Sequence, residues 1–91
     1  MNTVTDFVVI ANKLGMHLRP SQQIVQTVLQ FTCDVYFRKD GHQVNAKSIM
    51  GLVTPAAAQG TQLEVVCEGD DAAAALEAVR ELSESGFGEE M

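Results

Sequence analysis

The first apolar run, TVTDFVVIA at residues 3–11, is rich in β-branched and aromatic side chains and stops at the turn-forming cluster of residues 12–15. It predicts a strand and then a loop. From about residue 18 to 29 the spacing becomes helical, with Ile24, Val25, Val28 and Leu29 on one face and Gln22, Gln23, Gln26 and Gln30 on the other. Pro20 suits only the first turn of such a helix, where its missing N–H is not needed. CDVYFRKDGHQVNA then reads as a hairpin, because alternating Val35 and Phe37 lead into the tight-turn pair Asp40-Gly41.

Residues 47–53, KSIMGLV, predict a helix of one or two turns that Ser48 could cap and Thr54-Pro55 should end, with Leu52 inward. TQLEVVCEG, residues 61–69, alternates as a strand with Leu63, Val65 and Cys67 on one face. DDAAAALEAVRELSESG predicts a last helix with acidic residues at its positive end, Leu76, Val79 and Leu82 or Ser83 inward, and Gly86 just beyond. In the tail FGEEM only Phe87 should be anchored.

The order β-α-β-β-α-β-α predicts an α+β open-faced sandwich: a four-stranded antiparallel sheet covered on one face by three helices. A ferredoxin-like sandwich with an extra short helix fits the same pattern less well. With 91 residues the chain allows one domain, 1–91, around a single core. Hydrophobic content of 46% with 20% charged residues is globular, and no apolar run is long enough to cross a bilayer. The N-terminus has no basic segment followed by an apolar core, which predicts a complete cytoplasmic chain with no membrane partner. Twelve acidic residues against six basic ones give a net charge of -6 and argue against nucleic acid. Cys33 and Cys67 are isolated, so structural thiols are favoured over a disulfide or a metal site. No metal-ligand cluster is visible, no cofactor is implied, and His42 beside the hairpin turn reads as a solvated surface residue.

His17 stands where a helix begins, within GMHLRPS. Unpaired backbone N–H groups and the positive end of the macrodipole favour an anion there, and Arg19 adds a fixed positive charge. Phosphate is the natural guest. The ring nitrogen of a histidine held there could attack phosphorus as a nucleophile. On spacing alone, a capping or turn role for His17 remains open beside a phosphoryl site or a site for reversible anion binding.

GMHLRPS followed by an amphipathic helix, then NAKSIMGL and QGT, resembles HPr, the histidine-containing phosphocarrier family of the phosphoenolpyruvate-dependent phosphotransferase system. The resemblance spans nearly the whole chain. It implies a monomer that is no enzyme but is itself phosphorylated on His17 through Nδ1, with Arg19 attending the phosphate and Pro20 stiffening the helix start. Its partners would be enzyme I and EIIA-type domains. Ser48 matches the regulatory serine that a dedicated HPr kinase/phosphorylase modifies in some bacteria, although capping alone would explain it. The docking surface would combine Leu18, Ser21, Gln22 and Gln26 with Ile49, Met50 and Val53, whose apolar side chains suit several partners in turn. Leu18 replaces a small residue, while Gln26, Leu29 and Gly51 replace the lysines common in sugar-transport members. SIMGL and SGFGEE are more like the nitrogen-branch paralogues, so a regulatory adaptor acting through His17 or Ser48 stands beside a role in sugar transport.

Overall fold

The computed structural model describes residues 2–13, 15–48 and 58–88. Strands β1 (Thr3–Val9), β2 (Asp34–Lys39), β3 (His42–Asn45) and β4 (Gln62–Glu68) form one antiparallel sheet in the order β1-β4-β2-β3. Helices α1 (Leu18–Val28) and α2 (Ala72–Glu84) complete the expected layering, and a single 3-10 turn follows at Gly86–Gly88. The third helix, expected over residues 47–53, lies outside the described residues apart from Lys47 and Ser48, and so does Leu52.

Side chains alternate across each strand, so one apolar set reaches the helix-covered face, while Phe7 and Val9 of β1 stay exposed on the other. Val8, Val35, Phe37, Leu63, Val65 and Cys67 gather beneath Ile24, Val25 and Val28 of α1 and Ala72, Ala75 and Val79 of α2. The inner line of α2 carries small residues, with Leu76 and Leu82 only partly buried at its margins. Asp40 and Gly41 both have positive φ, 52° and 81°, the backbone that a two-residue hairpin turn requires. Phe87 is buried at a left-handed φ of 58° and closes the core beyond α2.

Three details differ from the sequence expectation. Leu29, expected inside, is 60% exposed. The buried face of α1 centres on Ile24 and Val28, and Leu29 lies about 100° further round at the helix end. Val66 is buried although it points to the face away from the helices, because β4 has a paired strand on both sides and Val66 sits between Thr5 and Tyr36. The acidic start of α2 does not serve its own helix: Asp71 is the N-cap but makes no side-chain cap bond. Its carboxylate instead accepts from the backbone N–H groups of Thr32 (2.7 Å) and Cys33 (2.8 Å), tying the α1–β2 connection to the start of α2. Gly69 permits this closeness, since a Cβ there would stand 2.8 Å from the Cys33 Cβ.

Cys33 and Cys67 are both free and buried, and burial pushes each thiol up to about 11, which leaves them protonated structural groups. The bond from the Thr32 N–H, with help from Cys33, holds the Asp71 carboxyl below the ordinary value of 3.8. A carboxylate with a lowered folded pKa stabilises fully above its unfolded value, and that contribution disappears as pH falls through the folded one. Asp71→Asn should therefore lower the urea midpoint at neutral pH. The gap from wild type should stay level down to about pH 5 and narrow below 3.8; a gap independent of pH in urea titrations would show that the carboxylate charge is not what holds the loop.

Candidate functional site

His17 is the N-cap of α1, with extended backbone (φ -129°, ψ -168°) and a side chain that makes no cap bond to the helix. Its carbonyl already serves the helix, accepting from the Ser21 N–H at 3.1 Å. That bond is the ordinary first one of a helix; it is the lack of a cap bond from the half-buried imidazole that decides against the cap reading left open by the sequence. Leu18 and Arg19 precede that first intrahelical bond, so their N–H groups are the orphan donors of the helix start, and Pro20 has none to offer. Their partial positive charge lies beside the imidazole.

Arg19 is exposed in the first helical turn. Residues two apart do not share a helix face, so its guanidinium must reach round the turn to meet a group carried by His17. Leu18 is 55% exposed and lies on nearly the same line of the helix as Leu29, eleven residues or about three turns later. Gln22 and Gln26 are exposed on that side as well. Ser21 contradicts its docking assignment: it is fully buried, on the Ile24 side of the helix, and among the described residues its hydroxyl finds no hydrogen-bond partner. Ser48 is exposed, with its N–H donating to the Asn45 carbonyl at 3.1 Å. Ile49, Met50 and Val53 lie outside the described residues. His42 opens β3 on the exposed hairpin. Among the described residues no group of three His, Cys, Asp or Glu is placed to hold a metal, and no helix is long and apolar enough to cross a membrane.

The loop leading to His17 is braced by residues the sequence reading had treated only as turn formers. Asn12 is fully buried; its Nδ2 donates to the Gly15 carbonyl at 2.7 Å, while the Gly15 N–H donates back to the Asn12 carbonyl at 3.2 Å. A short polar side chain that bonds its own backbone a few residues on is the usual signature of Asn in a turn, so this role was readable in principle. Gln59 and its neighbours hold the other end. Ile10 N–H donates to Thr61 O (2.9 Å), Gly60 N–H to Ile10 O (2.7 Å) and Gln59 Nε2 to Ala11 O (3.1 Å). Beyond the turn, Met16 is buried in the core. At the far end of α1 the Lys47 ammonium donates to the Phe31 carbonyl at 3.2 Å, a favourable cation near a helix C-terminus.

The site thus joins an open-faced sandwich to an imidazole that stands at the positive end of a helix without capping it. A family model described as the PTS HPr component phosphorylation site matches residues 4–85. The phosphocarrier protein HPr of Neisseria meningitidis is 46% identical over 80 residues, covering 88% of this chain and 90% of that protein. The phosphocarrier protein NPr of Escherichia coli is 39% identical over 89 residues, covering 97% of this chain and 99% of that one. A crystal structure of HPr from Thermoanaerobacter tengcongensis superposes with a TM-score of 0.89 at 43% identity over 100% of both chains. The chain belongs to the HPr family of phosphocarrier proteins, which are not enzymes.

The exposure of Leu29 has a direct thermodynamic test. Leu29→Gln should alter the unfolding free energy by less than about 0.5 kcal/mol, as exposed substitutions do. Ile24→Ala, at the centre of the buried face, should cost about 2–5 kcal/mol. Equal losses in urea unfolding would place Leu29 in the core after all.

Proposed function

We propose that the chain is a cytoplasmic carrier of one domain, 1–91, that accepts a phosphoryl group on His17 from phosphorylated enzyme I and passes it to an EIIA-type domain. The observation that carries this reading is the N-cap position of His17 with its imidazole left out of capping. In the forward step the lone pair of the ring nitrogen, Nδ1 by family resemblance, attacks phosphorus. A P–N bond forms as the donor's P–N bond breaks, with donor and acceptor roughly in line. Such transfer needs positioning and charge stabilisation more than covalent help from the carrier. The resulting dianion is favoured by the N–H groups of Leu18 and Arg19 and by the Arg19 guanidinium, without a metal. Leu18, Gln22 and Gln26 supply docking surface beside it, continued by Ile49, Met50 and Val53.

A second reading keeps the same chemistry but gives it a regulatory purpose, with the phosphorylation state of His17, or of Ser48 modified by an HPr kinase/phosphorylase, read by partner proteins. Two observations favour weighing it: one relative, matched over 97% of this chain, is an NPr, and Ser48 is exposed. The residue that becomes labelled in cells, and the partner that captures each form, separate this role from sugar transport.

Incubation with enzyme I and phosphoenolpyruvate should add one acid-labile phosphoryl group to the wild type and none to His17→Ala by intact mass. A gain on the mutant, or on His42 in the wild type, would overturn the assignment. Arg19→Ala should slow transfer at least about tenfold while the melting temperature moves by only a few degrees, because an exposed cation at a helix N-terminus adds little to folding. Normal transfer from a readily unfolded mutant would make Arg19 structural.

A further inference from the structure

Between the end of β1 at Val9 and the start of α1 at Leu18, the chain is fixed at successive points. Ile10 is paired on both its N–H and its carbonyl with the 60–61 segment, the Asn12 amide closes the 12–15 turn from inside, and Met16 is anchored in the core. One residue lies between the strand-like pairing at Ile10 and the Asn12 turn. That residue is Ala11, and its carbonyl receives the Gln59 side-chain amide from 48 residues away. Gln59 is exposed, so its reach to Ala11 contributes little burial; its effect is to extend the pairing of Ile10 across the last junction before the turn.

We propose that Gln59 is a positioning residue for phosphoryl transfer at His17, acting through Ala11 and the Asn12 turn to hold the imidazole in one orientation. The inference rests on the carrier reading given above. In-line attack is sensitive to small displacements of the nucleophile, and a loop released at its entry would sample orientations in which the ring nitrogen misses the phosphorus. The bond is made by an amide donor to a carbonyl acceptor, so it depends on a donor at the end of residue 59 and not on its bulk.

Two variants separate the donor from the shape. Gln59→Glu keeps the size and sets an acceptor against an acceptor, while Gln59→Lys retains an N–H donor on a flexible stem. In single-turnover transfer from enzyme I phosphorylated with phosphoenolpyruvate, Gln59→Glu should slow the step at saturating donor by about three- to tenfold. The half-saturating donor concentration should change less than twofold and the melting temperature by only a few degrees, and Gln59→Lys should stay within about twofold of wild type throughout. In the unphosphorylated protein, amide hydrogen exchange at Asn12, Gly15 and Met16 should quicken several-fold in Gln59→Glu alone. A Gln59→Glu variant with wild-type transfer, or losses in both variants confined to half-saturation, would make Gln59 at most a contact residue and overturn the proposal. Unchanged exchange with a normally phosphorylated wild type would overturn it as well. A wild type that takes no phosphoryl group, with exchange responding as described, would instead bring down the carrier reading and the transfer role together.

Discussion

Everything in this molecule waits on β4. The two strands it separates, β1 and β2, do not pair with each other, so the sheet exists only when residues 62–68 are inserted between them and pair on both sides. β4 accordingly has the most buried strand pattern, with Val66 covered even on the helix-free face. The same insertion brings the 59–61 segment against Ile10 and Ala11, and carries Gly69 and Asp71 to the α1–β2 connection. One pairing event thus closes the core, braces the loop before His17 and ties down both ends of α1.

The separation between the core and the start of α1 follows from that arrangement. The core faces of α1 and α2 bury Ile24, Val28, Ala75 and Val79, while Leu18 and Arg19 at the start of α1 stay exposed. The His17 carbonyl accepts the first intrahelical bond, and its side chain makes no cap bond. The side of α1 that runs from Leu18 to Leu29 bears glutamines between two exposed leucines, a neutral contact surface on a chain of net charge -6. The formal charge nearest this side is that of Arg19, exposed in the first turn.

The local elements were legible because their signals are local. The helical spacing at Ile24, Val25 and Val28 and the Asp40-Gly41 turn each impose a conformation within a few residues, and the structure has both. Leu29 misled because it sits at the edge of an apolar face, where a one-residue step decides between core and solvent. Ser21 misled in the opposite way, since a polar residue at a buried helical position carries no periodic warning. Asp71 and Gln59 could not be read from spacing: their partners, Thr32 and Ala11, lie 39 and 48 residues away. The place of His17 at a helix start was readable because Pro20 and the helical spacing after it are local signals, whereas the bracing of its loop is fixed by topology.

Because the strand that completes the sheet is the last one in the chain, a partly synthesised chain has His17 early but not the residues that hold its loop. Long-range closure of this kind is also the slow part of folding. A chain that lacks residues 59–68 lacks the partners of Ile10 and Ala11 that brace the loop before His17. The loop before His17 therefore has the contacts described here only in chains folded as far as residue 68.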